Sequence, residues 1–265
     1  MIIKDVIEET GIPFVVSWGA FDICETDHKL RVGSHGVYGD RCANYAIQNA
    51  DLLIIMGSRL DSRQTGGNGS LFSKSSKKIM IDVDINEITK LPERNINIDY
   101  SIRTDLKEFF LNVQNSPITV QFEKWINTLD KWKFAYGEEV TRKGDSEVYD
   151  YLSHFFKNIP DNAIVIPDQG GNLVWTMQSA KIKIETGYLA NLVKDFFIED
   201  ISLPLSSGLR FIFSSEYLLR NGISNAHQAS PITGTQINTS FIKNLSMGIF
   251  LLVMDCKIKM SAQDW

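Results

Sequence analysis

Two stretches of this chain hold the residue types needed to grip a phosphate-bearing ligand. The first runs through Val32-Gly33-Ser34-His35-Gly36, Gly39 and Asn44 to Gly57-Ser58-Arg59-Leu60-Asp61-Ser62-Arg63, and ends in Thr65-Gly66-Gly67. Glycine-rich turns let backbone N–H groups approach a phosphate closely, and a strand ending in Gly-Ser-Arg sets a donor at the carboxyl edge of a sheet, where open α/β folds bind ligands. Arg59 and Arg63 then offer a clamp for a diphosphate. The same residues also fit an architectural role, with glycines punctuating turns and Arg59, Asp61 and Arg63 forming an ionic network at the strand end. No Gly-x-Gly-x-x-Gly follows the first strand, so the residues alone lean toward architecture. In the second stretch, Ile166-Pro167-Asp168-Gln169-Gly170-Gly171-Asn172-Leu173-Val174-Trp175-Thr176-Met177-Gln178, a turn precedes a helix start. Gly170, Gly171 and Asn172 can present donors to an anion there. Alternatively, Asp168 and Asn172 simply cap the helix.

These turns need rigid elements behind them. From Ile2 to about residue 115, short apolar strands alternate with helical stretches, the pattern of a parallel sheet covered by helices. Ile2 onward reads as a helix ending at Gly11, and residues 13–17 as a short buried strand. Arg41 to Asn49 has helical spacing with Ala43, Ala46 and Ile47 on one face. Residues 50–57 are apolar on both faces, which marks a central strand, and 78–84 has a similar character. Thr104 to Val113 reads as a closing helix, with Thr104 and Asp105 suited to its N-terminal cap and first turn. Residues 116–145 read as a linker with an amphipathic helix, in which Trp125, Trp132 and Phe134 are packing aromatics. Val148 to Phe156 (helix) and Ala163 to Ile166 (strand) then read as the opening of a second α/β unit covering 146–265. Ser206 to Asn238, polar and without clean periodicity, reads as disturbed sequence.

A net charge of −5 and a pI near 5.4 argue against nucleic-acid binding, because no basic block supplies an electrostatic footprint. Cys24, Cys42 and Cys256 are odd in number and widely spaced, which suits neither a disulfide framework nor a zinc pair. With no long apolar run and no cleavable leader, a soluble, cytoplasmic protein without membrane partners is expected. His28, His35, His154 and His227 lie in unrelated contexts and read as surface or packing histidines.

Taken in order, Gly11-Ile12-Pro13, Trp18-Gly19-Ala20, Val32-Gly33-Ser34-His35-Gly36, Ala50-Asp51-Leu52-Leu53, Gly57 to Arg63 and Ile81-Asp82-Val83-Asp84 resemble the middle domain of acetolactate synthase and related thiamine-diphosphate enzymes. The resemblance covers about residues 1–113. It implies a Rossmann-like parallel α/β domain over 1–115, followed by a truncated and divergent diphosphate-binding domain. In some family members the middle domain holds FAD, and the matching positions are Gly33, Gly36, Gly57, Arg59 and Arg63. Residues 166–178 are similar to the family's diphosphate loop and helix, which assigns Gly170, Gly171 and Asn172 to thiamine diphosphate. Leu251 to Trp265 is similar in rhythm to the family's Mg²⁺ strand, with Asp255 in the metal position and Met254 and Cys256 where the family has glycines.

The resemblance therefore implies a fragment of a thiamine-diphosphate- and Mg²⁺-dependent enzyme that acts on 2-keto acids by carboligation and self-associates. The family's N-terminal domain and its ring-activating glutamate have no counterpart here, so inactivity alone is expected. The alternative is a dinucleotide-binding module for FAD or ADP, or an accessory subunit without catalysis.

Overall fold

The structure, a computed structural model, describes residues 2–114, 122–137, 147–159, 165, 167, 170–183 and the backbone of 250–254. Helix α1 (Ile2–Thr10) turns Ile3, Val6, Ile7 and Thr10 inward, a spacing of three and four that makes one buried stripe. It stops at Gly11, whose φ of +65° suits a left-handed helix terminus and whose N–H reaches the Ile7 carbonyl at 3.0 Å. Strand β1 (Phe14–Val16) follows at once and is wholly buried. Strand β2 (Arg31–Ser34) buries an arginine at its start. The Arg31 guanidinium donates to the carbonyls of Phe21 (2.9 Å) and Cys24 (2.5 Å) and lies over the Phe21 ring, so the charge ties down the preceding loop.

Helix α2 (Arg41–Asn49) leads into strand β3 (Leu52–Met56), buried along its full length. Helix α3 (Ser62–Thr65), strand β4 (Lys77–Asp82), helix α4 (Ile85–Thr89), strand β5 (Tyr100–Arg103) and helix α5 (Leu106–Gln114) complete the alternation. Asp105 caps the last of these, accepting from the Lys107 N–H at 2.7 Å. Beyond them lie helices α6 (Glu123–Tyr136), α7 (Glu147–Asn158) and α8 (Gly171–Ser179), and strand β6 (Phe250–Met254).

The six strands form one parallel sheet in the order β2-β1-β6-β3-β4-β5. Helices cover both faces, which makes the fold Rossmann-like. On one face Phe14, Val16, Leu52, Ile54 and Met56 pack with residues of α1, α5, α7 and α8. On the other, Val15, Leu53, Ile55 and Met80 pack with α2 and with Trp125 and Leu129 of α6.

Two features link the later elements to the first sheet. Leu152, Phe156, Val165 and Met177 share one cluster with Phe14 and Ile7, so packing runs across residues 116–145, which read as a linker. Strand β6 belongs to the first sheet, although its residues fall within the expected second unit; an apolar run with no charge suits a position covered on both faces. One expectation is corrected. Phe134 is 87% exposed, because α6 turns Trp125, Leu129 and Trp132 toward the core and leaves Phe134 off that stripe.

An ionic cluster pins α1 to the loop before β2. Lys4 Nζ lies 2.6 Å from Glu25 Oε1, and Cys24 Sγ donates to Glu25 Oε2 at 3.0 Å. The hydrogen bonds from Lys4 and Cys24 hold the Glu25 carboxyl down to about 2. Burial, with the neighbouring carboxylate, pushes the Cys24 thiol up to about 12, so it stays protonated. Because the Glu25 pKa is lower when folded, its stabilisation is present above the ordinary carboxylate range and fades as pH falls through about 2. Urea unfolding of the native chain and of Glu25→Gln between pH 7 and pH 3 should converge toward the acid end, and a constant gap between them would count against the cluster.

Candidate functional site

The carboxyl ends of β2 and β3 bring most of the first motif to one rim. Gly33, at φ +148°, makes room for Asp40: a Cβ there would lie 2.6 Å from the Asp40 carboxylate. That carboxylate accepts from the Ser34 N–H at 2.8 Å. Gly36, at φ +115°, lies against the Arg63 backbone, and a Cβ would come within 2.6 Å of the Arg63 carbonyl oxygen. The same carbonyl accepts from the Val37 N–H at 2.8 Å. Asn44 clamps Gly36 from the other side, accepting from its N–H and donating to its carbonyl, both at 2.9 Å. His35 is buried, with its N–H on the Val16 carbonyl at 2.9 Å and Nδ1 3.1 Å from the same oxygen.

After β3 the chain turns at Gly57, whose φ is +60° and whose N–H donates to the Ile81 carbonyl at 2.8 Å. Ser58 is fully buried, donating to Gln64 Oε1 at 2.7 Å and accepting from the Leu60 N–H at 3.3 Å. Asp61 caps α3, accepting from the N–H groups of Arg63 (2.9 Å) and Gln64 (3.1 Å). Arg94 braces the turn by donating to the Leu60 carbonyl and, at 3.1 Å, to Thr65 Oγ1.

The two arginines of the motif are exposed, and Arg59 swings to α4, where its Nε lies 3.3 Å from Glu87 Oε1. Lys90 pairs with the same carboxylate. The ionic partner of Arg59 is thus Glu87, while Asp61 spends an oxygen on the helix cap.

A phosphate cradle needs several backbone N–H groups aimed at one point outside the protein. On this rim the N–H groups of Ser34, His35, Gly36, Val37, Gly57, Leu60, Arg63 and Gln64 all have partners within the chain. The rim can therefore align the ends of β1, β2 and β3 and lock two turns together. Asp40, Gln64, Glu87 and Arg94 supply much of that locking and were not legible as a set. Asp40 immediately precedes α2 but makes no side-chain cap, and its carboxylate turns back to Ser34.

The second motif opens α8. Gly170, at φ +82°, stands at the helix start without a side-chain cap, and the Gly171 backbone lies close to the Trp175 ring. Thr176 Oγ1 donates to Asn172 Oδ1 at 3.3 Å. The far end of α8 touches the rim, where Gln178 Nε2 donates to the Tyr38 carbonyl at 2.8 Å. Gly170 to Asn172 therefore stand at the opposite end of the helix from that contact. Asp168 and Asp255 lie outside the described residues, as do His227 and Cys256. Among the described residues no group of three His, Cys, Asp or Glu gathers to hold a metal. Of the residues assigned to thiamine diphosphate and Mg²⁺, the described ones are those at the start of α8, while Asp255, assigned to the metal, lies outside them. Among the same residues, no helix is long and apolar enough to cross a membrane.

Comparison with known proteins agrees with this architecture. Residues 2–112 match the family described as thiamine pyrophosphate enzyme, central domain. The chain is similar to acetolactate synthase isozyme 1 large subunit of Escherichia coli (strain K12), 25% identical over 178 residues, which is 67% of this chain and 31% of that protein. It is 27% identical over 184 residues to acetolactate synthase large subunit of Pyropia yezoensis, covering 69% of this chain and 31% of the relative. Against acetolactate synthase 1, chloroplastic, of Oryza sativa subsp. japonica, it is 29% identical over 181 residues, 65% of this chain and 27% of the relative. The chain spans about a third of the length of the curated relatives it matches. Five of the six strands of the parallel sheet, β1 to β5, lie within residues 2–112, the segment that matches the thiamine pyrophosphate enzyme central-domain family.

Proposed function

We propose that this chain is part of a thiamine-diphosphate- and Mg²⁺-dependent enzyme acting on 2-keto acids by acetolactate synthase-like carboligation, with residues 2–112 as its scaffold. The observation that carries the proposal is the length of the similarity to acetolactate synthase large subunits. An alignment of 178 residues cannot be contained within 2–112, so it extends beyond the central domain. Thiamine diphosphate, when bound, supplies the electron sink for decarboxylating a 2-keto acid. In this reading the start of α8, with Gly170, Gly171 and Asn172, is the piece of the chain directed at the diphosphate, and Asp255 is the metal ligand.

The proposal includes that the chain does not turn over by itself. Purified protein supplied with pyruvate, thiamine diphosphate and Mg²⁺ should form no acetolactate above the protein-free blank in a colorimetric carboligation assay. Sustained product formation would overturn that part of the proposal. The same reading gives Gly33, Gly36, Gly57, Arg59 and Arg63 to scaffolding, not to FAD. A flavin absorbance lost on Arg59→Ala would reverse it.

A further inference from the structure

The connections of the sheet single out one strand. β1 passes to β2, and β3 passes to β4 and then β5, each through nearby chain, whereas β6 comes from residues 250–254 and lies between β1 and β3. In the doubly wound order 3-2-1-4-5-6, the place β6 fills is the one taken by the first strand, from which both halves grow outward. Here both halves form from sequence that precedes the strand between them.

The walls of this slot are joined by contacts that do not involve β6. At the rim, the Val37 N–H meets the Arg63 carbonyl, and Asn44 clamps Gly36. Lower down, Ser73 Oγ donates to the Ile47 carbonyl at 2.5 Å, tying α2 to the segment before β4. Phe14 and Val16 share one apolar cluster with Leu52 and Ile54, and Val15 shares the other with Leu53 and Ile55. The two walls also agree in register. Leu252 aligns with both Phe14 and Ile54, Val253 with Val15 and Ile55, and Met254 with Val16 and Met56. With strands about 4.8 Å apart, the walls stand roughly 9–10 Å from each other, one strand's width, and the edges that face this space on either side are those that pair with β6.

We infer that the slot between β1 and β3 is a strand-acceptor site, and that segment 250–254 of a second copy of this chain can enter it in place of the copy's own. The site demands a parallel occupant about five residues long. Its backbone groups must pair on both sides, and it must carry no charge or proline, because both faces are covered. Phe250-Leu251-Leu252-Val253-Met254 meets each demand. Recognition through main-chain hydrogen bonds on two edges is the mode by which strands are added to sheets, and entry from another copy needs no contact that the native arrangement lacks.

The experiment uses the full chain without substitution. Hydrogen exchange read by mass spectrometry should show the amides of 250–254 protected to within about tenfold of those of β4. The chain is then incubated in mild urea with a tagged peptide of residues 247–257 extended by lysines for solubility, and separately with the same peptide carrying Leu252→Pro. Retention of the native peptide after gel filtration should exceed that of the proline peptide at least tenfold, with faster exchange at the chain's own 250–254 and unchanged protection in β4. Equal retention of the two peptides, retention of neither, or exchange at 250–254 as fast as in exposed loops would overturn the inference.

Discussion

Replacing Phe14 by alanine is expected to cost about 3–5 kcal/mol, the range for removing a fully buried aromatic side chain from a packed core. Phe14 has no exposed surface and lies in the cluster that joins α1, β3, α7 and α8, with the His28 ring at 5.7 Å. Its strand is three residues long and sends only Val16 besides Phe14 to this face. For a unit of this size each kcal/mol moves the melting temperature by about 2–4 °C, so thermal unfolding should shift down by roughly 6–20 °C. Retained melting within a few degrees of the parent would show that the face built on β1 is not the core.

Substituting alanine at Gly36 should be comparably damaging, at about 2–5 kcal/mol, from two causes that can be separated. One is backbone conformation: a left-handed φ costs an L-residue about 1–2 kcal/mol. The other is overpacking, about 1–3 kcal/mol, since the new methyl would meet the Arg63 carbonyl, which cannot move without opening the junction between two turns. Gly66→Ala is the matched control. Its φ is +82°, but no atom lies within 4 Å of an added Cβ, so only the conformational cost applies. Urea midpoints for the two variants should differ clearly, and similar losses at both positions would mean that the β2 and β3 turns do not meet as described.

How much of this was readable from sequence depended on whether a feature is local. Strand β3 and helix α2 were legible because burial on both faces leaves an unbroken apolar run and a single buried face leaves helical spacing. Strand β2 was not. Its Arg31 and Gly33 look like loop residues until carbonyls ten and seven positions upstream are seen to satisfy the guanidinium. β5 escaped for the opposite reason, being an edge strand whose residues are mostly exposed and so carry no apolar signal.

In the candidate site, the glycines were visible but their partners were not, since Gly36 meets Arg63, and Arg59 meets Glu87, only after the sheet has formed. The apolar run at 250–254 could be seen as a strand. Its place between β1 and β3 is a property of the assembled sheet, and no periodicity encodes it.

That place also sets a timetable for synthesis. A ribosome adding about 5–20 residues per second completes β5 roughly 7–30 s before it reaches β6. Throughout that interval the borders of β1 and β3 lack β6, the strand that pairs with both, and an open strand border attracts extended hydrophobic segments. Yield during expression should therefore depend on how well chaperones shield that opening, independently of how stable the finished sheet becomes.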